Sequence, residues 1–478
     1  MKVLHVAAEA FPLIKTGGLG DVAYALPRAE RALGMSVRLL LPGYPSVLSG
    51  LTHLKRVADI GSVFGAANVR LLMGKLPRVG TDVYVIDSPS LFGRNGNPYL
   101  GPDGREWNDT HRRCGLLGWT GAHIADGDLD RTWKPDIVHS HDWHAGLTAA
   151  YLAENPAHTA KSVFTIHNLA FRGLFPFGES DDLGFSRRMG FPHQFEFFGN
   201  FSFLKAGLVF SDKITTVSPT YAREVLTDAM GFGMQGVLKN RSKDFSGILN
   251  GLDYDIWNPK TDVQLVARYD SDDISGKAQC KKDLQKTFGL DENAKGPLFG
   301  VVSRLADQKG LDLVLASLGQ ILSLDGQLVV LGSGEPTLES SFRHAAQTHK
   351  GHVACYIGYD EVLSHRLVAG SDALLVPSRF EPCGLTQIMA LRYGTLPVAR
   401  RTGGLADTIT PIAGDAGDGY LFDDPRPEAL CAALRDAASL YADKAAWNRA
   451  VKRAMVKDFS WEKSANAYTA LYKSLTGS

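Results

Sequence analysis

The sequence is poor in cysteine, in net charge and in long apolar runs, and each shortage removes a class of protein. Its five cysteines (114, 280, 355, 383 and 431) are scattered, odd in number and without a CxxC pair. A disulfide framework is thereby excluded and a zinc site unsupported, and the reducing cytoplasm is the expected compartment. Lys and Arg total 51, Asp and Glu total 51, and like charges form no block. The electrostatic footprint of a nucleic-acid binder is missing, although a local basic pocket stays open. No apolar run approaches the roughly 18 residues of a membrane span. The N-terminal MKVLHVAAEAFPL is short in apolar run and carries Glu9, so it reads as a first strand and not as a signal peptide.

What is present is ordinary for a folded chain: 44% hydrophobic and 21% charged residues over 478 positions. At roughly 100–200 residues per domain, that length predicts two or three domains. KVLHVAAEA, a glycine-rich loop, the helical DVAYALPRAERALG and the strand VRLLLPGY open the chain as a βαβ unit. VYVID, DIVHSH, SVFTIHN and KITTVS continue the alternation, each an apolar run ending at polar or small residues, as strands buried on both faces do. A second series follows, with PLFGVVSRL, QLVVLGSG, HVACYIGY, ALLVPS and TLPVARRTGG. The fold class is therefore α/β. The crossover between the two series is expected near GILNGLDYDIWNP, where Asn, Gly, Asp and Pro cluster. The expected division is 1–246, 247–457 and a C-terminal helix, 458–478, with Ser460 as its N-cap.

In parallel sheets ligands sit at the carboxyl ends of strands, so the polar residues there are the candidates. KTGGLGD (15–21) follows the first strand. Its backbone N–H groups could cradle an anion with help from Lys15; a tight βα turn with a solvated lysine is equally consistent. In VVSRLADQKGLDL, Arg304 and Lys309 flank a strand–helix junction and suit a diphosphate, or else pair with surface carboxylates. In PSRFEPCGLTQ, Glu381 precedes a helix start whose N–H groups near Leu385 and Thr386 suit phosphate; a glutamate favoured by the helix dipole is the alternative. HSHDWHAG offers His139, His141, Asp142 and His144, but no second ligand cluster with metal spacing. A polar strand end bordering a sugar site is the preferred reading. His167 and Asn168 end another strand, with His167 either a satisfied structural histidine or a contact to a substrate hydroxyl or carbonyl, and Tyr99 in RNGNPY reads as an exposed aromatic on a turn, which either stacks on a sugar ring or caps the loop.

Taken in order, KTGGLGDV, HDWHAG, FTIHN, SPTYARE, LNGLD, SRLADQKGLDL, SRFEPCGLTQ and RRTGGLADT resemble the family of bacterial glycogen synthases and plant starch synthases, from residue 1 to about 475. The resemblance implies the GT-B arrangement, two Rossmann-like domains facing across a deep cleft, the first for the glucan acceptor and the second for the nucleotide-sugar donor, with the C-terminal helix packing back on the first. It implies retaining transfer of glucose from ADP-glucose to the non-reducing end of an α-1,4-glucan in the cytoplasm, with no cofactor, metal, nucleic acid or membrane. Carried over by residue, it implies Lys15, Gly17 and Gly18 beside the diphosphate and glucose with Asp21 behind them. Arg304 and Lys309 neutralise the diphosphate and Glu381 holds glucose hydroxyls. Cys383, Gly384, Leu385 and Thr386 form the adjoining loop and helix start. His167 lines the glucose, Asp142, Asn168 and Asn250 are further polar groups, Tyr99 faces the acceptor and Tyr359 the adenine.

Three departures stand out. Gly20 replaces a common alanine, Asp109 is followed by Thr110 where Asn is expected, and position 389, where retaining transferases often carry a second glutamate, is Met. No carboxylate pair announces a double displacement. The expected mechanism is a dissociative same-face substitution, with the backbone carbonyl of His167 steadying the anomeric carbon and the leaving phosphate taking the acceptor's proton.

Overall fold

The computed structural model describes residues 1–185 and 194–477. It divides into two compact units: Met1–Gly251 together with Trp461–Ser478, and Leu252–Ser460.

The first unit is built on a nine-stranded sheet. Its strands are β1 (Lys2–Val6), β2 (Ser36–Pro42), β3 (Thr52–Val63), β4 (Ala66–Lys75), β5 (Asp82–Asp87), β6 (Ile137–His141), β7 (Lys161–Ile166), β11 (Lys213–Thr216) and β12 (Phe245–Gly247). A separate antiparallel sheet holds β8 (Leu174–Pro176), β9 (Glu196–Phe197) and β10 (Asn200–Ser202). The large sheet runs β12-β11-β7-β6-β1-β2-β5-β4-β3, parallel as far as β5. Its central strands are the apolar runs read from the sequence, and β6 is buried along its whole length.

The β3–β4 hairpin was not foreseen. It pairs antiparallel with β5, and β3 is an exposed edge strand with repeated register shifts. Lys55, Arg56 and Asp59 blunt that edge, and the same charges hide the strand from a hydrophobic-pattern reading.

The C-terminal helix, Trp461–Thr476, begins directly after Ser460. Trp461, Ala465, Tyr468 and Tyr472 recur at helical spacing and are buried against Val22, Ala25 and Leu26 of the helix Gly18–Ala32 and against Val3, Ile137 and Val163 of the sheet.

The second unit carries a six-stranded, wholly parallel sheet: β13 (Leu298–Val302), β14 (Gln327–Gly332), β15 (Val353–Ile357), β16 (Ala373–Val376), β17 (Leu396–Arg400) and β18 (Tyr420–Phe422), in the order β15-β14-β13-β16-β17-β18. In both sheets the chain reverses its direction of winding at one strand, β1 between β2 and β6, and β13 between β14 and β16. Such a switch point opens a crevice at the carboxyl ends of the strands.

Replacing Tyr468 by alanine removes a wholly buried ring from the contact of the C-terminal helix. The expected cost is about 3–5 kcal/mol in urea unfolding monitored by circular dichroism. A loss below about 1 kcal/mol would mean that this helix adds little to the unit's stability.

Candidate active site

In the first unit the site begins where β1 ends. Glu9 is buried, and its Oε2 accepts from the backbone N–H and the hydroxyl of Thr16 at 2.7 and 2.6 Å. This pins the loop that carries KTGG. Burial nevertheless raises the Glu9 pKa above the ordinary carboxylate value, against the lowering effect of those bonds. The helix starts at Gly18, earlier than the sequence pattern indicates. Gly17 is its extended N-cap, and Gly18 and Gly20 belong to its first turn instead of to a loose loop. Lys15 Nζ pairs with Asp21 Oδ1 at 2.9 Å, both partly exposed, which fixes the lysine's position more than it stabilises the fold. A Cβ on Gly20 would stand 3.2 Å from Cγ of Lys15, so glycine at this departure leaves the lysine room.

Tyr99 is not the exposed aromatic that the sequence predicted. Its ring lies 5.1 Å from that of His144, and the side chain is only partly exposed. Thr110, the second departure, lines a small cavity with Tyr99, Arg113 and His144.

The carboxyl end of β6 presents Asp142 in left-handed backbone, φ 57°. For a non-glycine residue that is a strained conformation, and such strain gathers at functional sites. Its Oδ1 accepts from the backbone N–H of His167 at 2.8 Å and of Asn168 at 3.4 Å, joining the ends of β6 and β7. Burial pushes the Asp142 pKa up to about 7 and the His167 pKa down to about 3, so the imidazole is neutral at neutral pH.

His139 and His141 are both wholly buried. With His5 they bring ring nitrogens within 4.8 Å of one another. All six of those nitrogens are engaged by protein partners, so the cluster is saturated without a cation. Asn250, beyond β12, is buried with its Oδ1 unpartnered among the described residues, an acceptor that a ligand donor would satisfy.

In the second unit the site gathers at the ends of β13 and β16. Lys309 Nζ meets Glu381 Oε2 at 2.6 Å, and the Ser378 hydroxyl donates to the same oxygen at 2.9 Å. Arg304 is exposed, its guanidinium reaching, among the described residues, only the side chain of Gln308 at 3.5 Å. Gln308 stitches the two loops together: its amide donates to the Phe380 carbonyl at 3.1 Å, and its own carbonyl accepts from Arg379 N–H at 2.8 Å.

Glycine sets the approach of a third loop. A Cβ on Gly403 would fall 1.9 Å from the Glu381 carbonyl oxygen, and one on Gly404 1.9 Å from that of Cys383. The motif RRTGGLADT is therefore a backbone cradle for the Glu381 loop, a role its spacing did not reveal. Cys383 is buried, Gly384 turns the chain at φ 71°, and Leu385 leads into the helix Thr386–Arg392. Met389, the third departure, is buried in the unit's core. Tyr359 follows the edge strand β15 and is exposed, its hydroxyl bonded to Glu361, two strands removed from β13.

Sequence reasoning missed Glu9, Ser378, Gln308 and the two glycines. Only the glycines left a signal, a GG pair immediately after a strand.

The starch synthase catalytic domain family matches residues 2–240, and glycosyl transferases group 1 matches residues 284–454. A glycogen synthase of Paramagnetospirillum magneticum is 48% identical, aligned over 100% of this chain and 98% of its own length. A glycogen synthase of Francisella tularensis subsp. novicida is 46% identical over 99% of both. The catalytic domain of starch synthase IV from Arabidopsis thaliana, solved bound to ADP and acarbose, superposes with a TM-score of 0.89 at 34% identity, covering 100% of this chain and 99% of that one. A sucrose-phosphate synthase of Thermosynechococcus elongatus shares the fold at a TM-score of 0.62 and 16% identity, over 100% of this chain and 99% of that one.

The shift at Asp142 has a measurable sign. Its folded pKa, about 7, lies above the ordinary value of 3.8, so the folded state holds the proton more tightly. The stability this contributes is present below pH 3.8 and is lost as pH rises through about 7. Asp142→Asn keeps an acceptor for the His167 N–H and cannot ionise. Between those limits the wild type should lose up to about 1.4 kcal/mol per pH unit relative to the variant, read from urea midpoints. Parallel curves would show that Asp142 titrates normally.

Proposed function

The chain belongs to the family of the starch synthase catalytic domain and the bacterial glycogen synthases, and from that membership we propose that it is a glucan synthase that transfers glucose from ADP-glucose to the non-reducing end of an α-1,4-glucan, with retention of configuration. It is a GT-B glycosyltransferase, and its family uses a nucleotide-sugar donor and a glucan acceptor. Identity of 48% along the entire chain carries the reading. Compatible with it, none of the five cysteines forms a disulfide, and among the described residues no helix is long and apolar enough to cross a membrane. A cytoplasmic enzyme of glycogen synthesis fits both.

In this reading the second unit holds the donor. Arg304 and Lys309 neutralise the diphosphate, and the N–H groups around Leu385 and Thr386 add donors to the leaving phosphate. Glu381 holds the Lys309 ammonium in place. Its Oε1 accepts no bond among the described residues and so remains for a sugar hydroxyl. Cys383 and Gly384 shape that loop, and Tyr359 meets the base.

The first unit acts on the sugar and the glucan. Lys15, steered by Asp21, adds positive charge beside the backbone of Gly17 and Gly18. Asp142 fixes the backbone of His167 and Asn168, so that the His167 carbonyl faces developing positive charge at the anomeric carbon. Asn250 supplies an acceptor, and Tyr99 offers its ring to the glucan. The departing phosphate takes the proton of the attacking hydroxyl in a same-face substitution.

Nucleotide release from ADP-glucose and UDP-glucose, with and without maltooligosaccharide, tests the donor. ADP release that depends on the acceptor, with little UDP, is the expected result; release from UDP-glucose would move the chain to another branch of the fold. Lys309→Ala should cut kcat by about a hundredfold or more, since charge on the leaving group grows in the transition state. An unchanged kcat with only a raised KM would remove Lys309 from that role.

A further inference from the structure

The histidine cluster behind the first unit's site has an order that the function above does not use. Three hydrogen bonds join four side chains in series. Glu30 Oε2 lies 2.7 Å from His5 Nε2, His5 Nδ1 lies 3.0 Å from His141 Nε2, and His141 Nδ1 lies 3.1 Å from His167 Nε2. Glu30, His5 and His141 are wholly buried, and His167 alone is partly exposed. A second branch ends on the same carboxylate. The Tyr472 hydroxyl donates to Glu30 Oε1 at 2.9 Å and lies 2.7 Å from His139 Nδ1; His139 Nε2 is 2.6 Å from the Thr165 hydroxyl, which is 2.6 Å from that of Thr215.

Each bond in such a chain holds one hydrogen, and a carboxylate only accepts. A ring nitrogen facing Glu30 therefore carries the hydrogen. A neutral imidazole has one N–H, so its other nitrogen must accept from the next ring. Burial of His139 and His141 drives their pKa values well below the ordinary histidine range and keeps those rings neutral. With His5 neutral as well, the order followed outward is Nε2–H on His5, Nε2–H on His141 and Nε2–H on His167. The Tyr472 branch points the same way, so every donor in the cluster is directed at one carboxylate.

We propose that Glu30 is a positioning residue that fixes the tautomer of His167 through His5 and His141, leaving His167 Nδ1 as a bare acceptor for a sugar hydroxyl. The proposal rests on His167 lining the glucose in the function above. Its consequence is selectivity. A site acceptor with a fixed lone pair favours a ligand that donates there and disfavours one that cannot, whereas an unbiased imidazole would turn either nitrogen state toward the ligand.

Neutron diffraction from perdeuterated crystals of the full chain reads the order directly. The expected result is deuterium on Nε2 of His5, His141 and His167 and none on Nδ1 of His167; deuterium on that Nδ1 overturns the proposal. In Glu30→Met the order loses its anchor, so His167 should become a mixture of tautomers. The kcat should fall by about tenfold, the scale of one neutral hydrogen bond, with KM little changed. Tyr472→Phe cuts only the second branch and should leave His167 as in the wild type. A His167 tautomer unaltered in Glu30→Met overturns the proposal even if activity falls. A scrambled tautomer with full activity upholds the assignment of Glu30 and removes the side chain of His167 from the proposed transfer. Should Glu30→Met fail to fold, the wild-type deuterium map alone decides the order.

Discussion

Parallel strand pairing is the constraint on which the rest depends. Strands that all run one way end on one edge of their sheet, and every connection must return over a face before the next strand begins. Polar residues that the core cannot accept therefore collect along the carboxyl edge. In the first unit that edge carries Lys15 after β1, Tyr99 beyond β5, Asp142 after β6, His167 after β7 and Asn250 after β12. In the second it carries Arg304 after β13 and Glu381 after β16. The switch points at β1 and β13 are where returning loops diverge and leave room for a ligand.

Holding those groups still takes two devices. One is close backbone approach: Gly403 and Gly404 let a strand-end loop rest on the carbonyls of Glu381 and Cys383, where any side chain would collide. The other is the buried carboxylate that accepts from neutral donors. Glu9 takes both bonds of Thr16, Asp142 takes the N–H groups after β7, and Glu30 collects a histidine and a tyrosine. None of the three is held by a lysine or arginine among these bonds. Their worth is directional. Each fixes where hydrogens lie in a site that must present acceptors and donors to a sugar in a set pattern.

The parallel strands and the motifs at their ends were legible in the sequence. An apolar run that stops abruptly at His-Asp or Ser-Arg has the pattern of a strand leaving a core covered on both faces. The β3–β4 hairpin was not legible, since an edge strand must be polar and then resembles a loop. Tyr99 was misread because its partial burial depends on His144, which is distant in sequence. The depth of His139 and His141 was not legible, because a strand end gives no information on how far its alternate side chains are buried. Glu30 was invisible for a related reason. On the helix Gly18–Ala32 it reads as one more solvated charge, and the packing of His5 from the first strand and of Tyr472 from the far end of the chain makes it a buried acceptor.

The central claim is glucosyl transfer to a glucan with the configuration kept. Proton NMR of the product formed from ADP-glucose and maltotriose tests it most directly. The account predicts growth of the internal α-1,4 anomeric signal in step with ADP release, with the reducing-end signals constant. A β-anomeric linkage, or free glucose accumulating in place of a lengthened chain, would contradict it.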